Sequence, residues 1–212
     1  MFMSRQEYDN CLDLLEGRRQ KSPLLNELAD WAKCELDIDV IDYVCDYAIS
    51  GQIRLRIVVW DNDDYSKFFK GINYDSRVQK KFQNEFADLA KKYQKHIPYH
   101  SADKIFVCCG KIKDEIQERV LKNANNEILA LQSGDIWEIV VTFGAIHIFY
   151  ETDKQVKEHE IDGVSEAFRQ KCDEIIKKYD FLNTFSKCGA CVFTSRQTLN
   201  EKYEGNMYYY FK

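Results

Sequence analysis

The feature that most restricts this chain is a change of period that occurs twice. Ile41, Tyr43, Cys45 and Tyr47 alternate with Asp42, Val44 and Asp46; after Gly51-Gln52, Ile53, Leu55, Ile57 and Val59 alternate with Arg54, Arg56 and Val58. A period of two puts alternate side chains on opposite faces of a strand, so two such runs about a glycine read as a β-hairpin. The pattern returns in Ile136–Val141 and Ala145–Tyr150, with Phe143-Gly144 between the runs.

The segments after the two hairpins also correspond. After the first, Asp61-Asn62-Asp63-Asp64 supplies N-caps for a short helix over 63–70, and Gly71 stops it. A helix over 76–95 carries Val78, Phe82, Phe86, Leu89 and Tyr93 on one face, Pro98 marks a loop, and Ile105–Cys109 reads as a short strand. After the second, Thr152 or Asp153 caps a short helix near 153–159, Gly163 ends it, and a helix over 164–180 carries Val164, Phe168, Cys172, Ile175, Ile176 and Tyr179. A strand at Cys191–Thr194 completes the series. At one constant offset, Val78, Phe82 and Lys91-Lys92-Tyr93 fall on Val164, Phe168 and Lys177-Lys178-Tyr179. The hairpins match at a slightly larger offset, Trp60 on Tyr150, a difference one loop absorbs.

The expected fold is therefore α+β, with two similar ββααβ units, each a small, mainly antiparallel sheet covered by helices. A helical segment over 1–36 precedes them, the first unit spans 37–130 and the second 131–212. Within the first segment, helical spacing runs over 4–20, and Ser22-Pro23 supplies the N-cap and first position of a helix over 23–35. A helix over 113–130 completes the first unit. A short helix over 198–203 and a turn at Gly205-Asn206 lead into an expected last strand, Met207–Phe211.

Composition narrows the function classes. The chain has 212 residues and a formal charge of −5, which argues against a nucleic-acid binder with its basic stripe. Lys91-Lys92, Lys95 and His96 read as the cationic last turn of a helix. No apolar run is long enough to span a membrane, and the first residues, MFMSRQEYDN, lack a basic-then-apolar leader, so a cytoplasmic protein with no membrane partner is expected. The 8 cysteines then read as buried thiols rather than a disulfide framework.

Four features bear on chemistry. Cys188-Gly189-Ala190-Cys191 is a Cys-x-x-Cys, but it leads into a strand, where a redox centre of the thioredoxin kind needs a helix N-terminus. As half of a zinc site it needs two more ligands, and Cys108 and Cys109, adjacent on a strand, point to opposite faces. Asp61–Asp64 stands at a strand end, where acids hold Mg²⁺ for phosphoryl chemistry, yet Glu151-Thr152-Asp153 occupies the same place in the other half, which favours capping in both. Among the histidines, Pro98 breaks the spacing between His96 and His100, and His147 faces away from Ile146 and Ile148. Trp60, Tyr150 and Tyr208-Tyr209-Tyr210 are aromatics of the kind that line a ligand groove or a core.

The leading expectation is a non-catalytic cytoplasmic binding protein without a cofactor, meeting a protein or small ligand through its sheet edge or through a groove between the two halves. An acidic chain of this kind suits a basic partner. The alternatives are a metal-dependent enzyme acting at Asp61–Asp64, and a thiol or zinc protein centred on Cys188 and Cys191. The features the halves do not share, namely the Cys-x-x-Cys, the N-terminal helices and the tyrosine-rich end, and the seam between the halves are the first places to look for a specific task.

Overall fold

The computed structural model describes residues 3–47, 52–94, 105–185 and 190–212. Gly51, the first hairpin's turn, and Cys188, His96 and His100 lie outside them. The chain divides into two compact units, Met1–Glu115 and Ile116–Lys212.

In the first unit, α1 (Arg5–Leu15) begins at Ser4, whose hydroxyl accepts from Glu7 N while Glu7 reaches back to Ser4 N. Two donors of the first turn are thus satisfied at once. α2 (Pro23–Leu36) starts on the Ser22 cap, and Asp37 closes it in the left-handed region at φ 54°. β1 (Val40–Tyr47) and β2 (Ile53–Val59) form the antiparallel pair, and β5 (Ile105–Lys111) joins β2 in parallel, giving the order β1-β2-β5. Between β2 and β5 lie α3 (Asn62–Ser66), the two-residue strands β3 (Phe69–Lys70) and β4 (Asn73–Tyr74), and α4 (Ser76–Lys92). Where a single helix over 63–70 was expected, the chain makes one helical turn and then a tiny hairpin, its strands held by Phe69 stacked on Tyr74 at 4.4 Å.

The two faces of this sheet differ. Val40, Tyr43, Cys45, Ile53, Leu55, Ile57, Val59, Ile105, Val107 and Cys109 pack with Leu24, Leu25 and Leu28 of α2 and Phe82, Phe86 and Leu89 of α4 into one apolar cluster. Burial of these aliphatic and aromatic groups drives the unit together at about 25 cal/mol per Å². The other face carries Asp42, Val44 and Asp46 beside Val58, Arg56 and Arg54, and α1 lies against it. The edge formed by β5 is capped by side chains: Gln79 and Gln83 of α4 donate to the Val107 and Ile105 carbonyls, both at 2.7 Å, and Tyr74 accepts from Cys109 N at 3.4 Å. Such cover blunts an edge that would otherwise invite another strand.

α5 (Ile112–Leu129) leads on into the second unit. There β6 (Ile136–Thr142) and β7 (Ala145–Tyr150) pair antiparallel, and β8 (Cys191–Ser195) joins β7 in parallel. Order, directions and even the bulge agree with the first sheet: pairing shifts at Val40/Asp42 in one and at Ile136/Glu138 in the other. By this pairing Tyr150 stands where Val59 does, not Trp60, because Tyr150 faces the core and is 1% exposed. α6 (Asp153–Ile161) and α7 (Val164–Lys177) fill the crossover, and α8 (Arg196–Tyr203) follows β8 directly. One detail recurs at the helix ends. Glu27 takes hydrogen bonds from Lys92 at 2.7 Å and Tyr93 at 2.5 Å, as Glu127 does from Lys178 and Tyr179, both at 2.5 Å.

The expected terminal strand is instead a helical turn, α9 (Met207–Tyr210), capped by Asn206. Tyr210 and Phe211 set their rings on His147 at 5.4 and 4.9 Å, and Tyr210 also meets Phe149 at 5.2 Å. Aromatic content favoured a strand, but the turn packs those rings onto the second face of the second sheet.

Candidate functional site

β1 is the outer strand opposite the capped edge, and a groove of about 500 Å³ runs along it. Its walls are Ser4, Gln6, Glu7 and Asn10 of the α1 side, Arg19, Ser22 and Leu25 from the start of α2 and the turn before it, and Asp42–Asp46 of β1. Residues from both faces of β1 line it, so the groove wraps the strand's outer edge. Among the described residues no strand pairs there.

Three ion pairs organise it. Arg56, 4% exposed on the middle strand, donates through Nη1 to both Glu7 oxygens at 3.4 and 3.3 Å. Arg19 Nη2 reaches Asp42 Oδ2 at 2.5 Å and the Asn10 carbonyl at 3.3 Å. Arg54 grips Asp46 with two parallel bonds, Nε to Oδ1 at 2.8 Å and Nη2 to Oδ2 at 2.5 Å, and this hydrogen bonding raises the arginine's pKa. Of the six charged groups, Glu7, Asp42, Asp46 and Arg19 are on the groove wall, which therefore presents three carboxylates to one guanidinium. Asp42 also orders the strand, accepting from Tyr43 N at 2.8 Å, and Lys21 donates to the Val40 carbonyl at 2.9 Å. Arg19 Nε is buried without a partner among the described residues. Burial, with Asp42 beside it, pushes the Cys11 thiol up to about 12, so it stays protonated at neutral pH.

The residues singled out in the sequence have other surroundings. Asp61 caps α3, accepting from Asp63 N at 3.0 Å, and Asp64 pairs with Lys67 at 3.1 Å. In the second unit Thr152 caps α6, and Asp153 accepts from Ser195 and, at 2.6 Å, from Thr198, which lowers its pKa. Cys109 faces the core and Cys108 the opposite side, against Arg56; burial raises both thiols. His147 is half-buried, its pKa lowered by burial, with Nδ1 at 3.1 Å from the Tyr210 hydroxyl. Tyr150 is core, its hydroxyl 3.3 Å from Ser165. Among the described residues no three His, Cys, Asp or Glu side chains are grouped to hold a metal ion, and no helix is long and apolar enough to cross a membrane.

Glu7 and Arg19 carried no motif in the sequence, because their partners are far along the chain. A weaker signal was present: one face of the first hairpin carries Asp42 and Asp46 on β1 and Arg54 and Arg56 on β2, with Asp46 directly opposite Arg54. Comparison with protein-family models, curated proteins and solved structures gives no match for this chain.

Proposed function

We propose that this protein is a non-catalytic binding protein whose contact site is the groove along β1, and that it takes an extended, basic segment of a partner protein. The observation that carries the reading is the asymmetry of the first sheet: one edge is capped by Gln79, Gln83 and Tyr74, while the other opens into a groove walled by three carboxylates. A sheet edge binds an extended chain through main-chain hydrogen bonds and selects it through pockets for alternate side chains. Asp46, though held by Arg54, is 37% exposed, and a carboxylate has about four acceptor positions, enough to meet a second cation. A net charge of −5 adds long-range attraction for a basic partner.

The equivalent face of the second sheet supports the same reading by contrast. There Tyr210 and Phe211 cover His147 and Phe149, where the first sheet has α1 and the ion pairs. We also propose that the two units are copies of one element order, with the groove a feature added to the first; the shared bulge and the Glu–Lys–Tyr contact support this.

Selection of short peptides from a random library on the immobilised protein tests the binding site. Basic, extended sequences are expected, and Gln6→Trp, which fills the groove from the exposed face of α1, and Asp46→Arg should each weaken the selected peptide about tenfold or more. If no peptide is enriched, or if both variants bind as the wild type does, the reading fails.

A further inference from the structure

Cys172 is fully buried on α7, and Cys191 is partly exposed at the start of β8. Their meeting follows from the way α7 crosses the sheet. Phe168 of α7 packs edge-on against Phe193 of β8, with ring centres 6.2 Å apart. Four residues on along the helix is about 6 Å. Two residues back along the strand is about 6.6 Å. The chain leaves the end of α7 to enter the start of β8, so the step on from Phe168 to Cys172 and the step back from Phe193 to Cys191 both lead toward that connection. The two thiols lie close enough for Cys191 to influence the ionisation of Cys172, and both are free.

We propose that Cys172 and Cys191 form a thiol–disulfide site, in which an organic disulfide of the glutathione kind oxidises the pair to a bond that ties α7 to β8. The steps balance. The Cys191 thiolate attacks one sulfur of the disulfide, whose S–S bond breaks and releases one thiolate; a mixed disulfide remains on Cys191. The Cys172 sulfur then attacks the Cys191 sulfur and displaces the second thiolate. Two protein thiols are oxidised, the co-reactant is reduced to two thiols, and the two protons end on them.

Access sets the order, since only Cys191 is reached from solvent. Cys191, together with burial, raises the Cys172 pKa, so this thiol is a poor first nucleophile but is held beside the sulfur it attacks second. Closing the chain between these positions removes freedom from the unfolded state, so the oxidised form is the more stable one.

The test treats the full chain with glutathione disulfide and maps the products without reduction. The expected product is a Cys172–Cys191 cross-link, two hydrogens lighter than the reduced pair, with the urea midpoint of the protein shifted upward. Cys172→Ser should stop at a lasting glutathione adduct on Cys191, Cys191→Ser should take up none at Cys172, and Cys188→Ser should cross-link as the wild type does. A link between Cys188 and Cys191, a lasting adduct on Cys191 in the wild type, or no reaction at all overturns the proposal. Circular dichroism of each serine variant separates a failure of chemistry from a failure to fold.

Discussion

Arg56 places a guanidinium almost wholly out of solvent in the middle of the first sheet, and the Glu7 carboxylate accepts from it through both oxygens. A buried ion pair adds little to stability as a pair, because desolvation offsets the attraction, but removing one partner strands the other. Glu7→Ala is therefore expected to lower unfolding free energy by about 3 kcal/mol. The double variant Glu7→Gln/Arg56→Met should return to within about 1.5 kcal/mol of wild type, since an apolar chain of similar length fits where the charge was. Urea unfolding of the three proteins decides it; glutamine at position 7 keeps the α1 capping box, so equal losses in the single and double variants would mean that a stranded Arg56 charge is not the source of the cost. Arg56 looked like an ordinary outward-facing strand residue in the sequence. Nothing local reveals that α1 folds back over that face, because the contact joins residues far apart in the chain.

Among the elements, α6 is tied at its end by a single imidazole. His159 Nδ1 lies 3.1 Å from Asp162 and Nε2 lies 3.2 Å from Asp135, while the Tyr150 ring packs 4.9 Å away. Burial disfavours the imidazolium, but its hydrogen bonds to the two carboxylates outweigh this and raise the pKa above its ordinary value. A pKa raised on folding adds stability that is complete below the ordinary histidine range near pH 6.5 and is lost as pH rises through the folded value. Asp162, lowered by the Val164 amide and by His159, stays ionised through that window. The thermal midpoint should then fall as pH is raised from about 6 to about 8, and His159→Gln should flatten that slope; an unchanged slope would mean that this imidazole does not clamp the helix. Most elements were legible from period and caps alone: both hairpins, the Ser22-Pro23 start of α2 and the long helices α4 and α7 follow from local chemistry. The last segment was not. Met207–Phe211 has strand-like composition, yet its conformation is decided by the Asn206 cap and by rings that find His147 and Phe149, contacts no local pattern encodes. The groove was legible only as an edge strand with acidic positions.

At the scale of the whole molecule, α5 is the part both units use. The division between them falls at Glu115, inside this helix, whose first turn hydrogen-bonds back to the Trp60 carbonyl through Lys113 N at 3.0 Å. Its later turns bury Val120, Leu121, Ala124 and Ile128. Lys122 is on the exposed side, so Lys122→Pro removes no core contact and tests the helix itself. The expected cost is about 3 kcal/mol, against a change within about 0.5 kcal/mol for Lys122→Ala. Hydrogen exchange of the β6–β8 amides should quicken in the proline variant only; protection equal to wild type would mean that the second sheet does not depend on α5. The same helix sets a timetable during synthesis. The groups that bond to its later turns, Thr184 for Gln117 and Lys178 with Tyr179 for Glu127, come well downstream of it. A ribosome adding about 5–20 residues per second makes them only seconds after α5 has emerged. For that interval the apolar stripe of α5, with Val120, Leu121, Ala124 and Ile128, waits for the downstream chain that completes its surroundings.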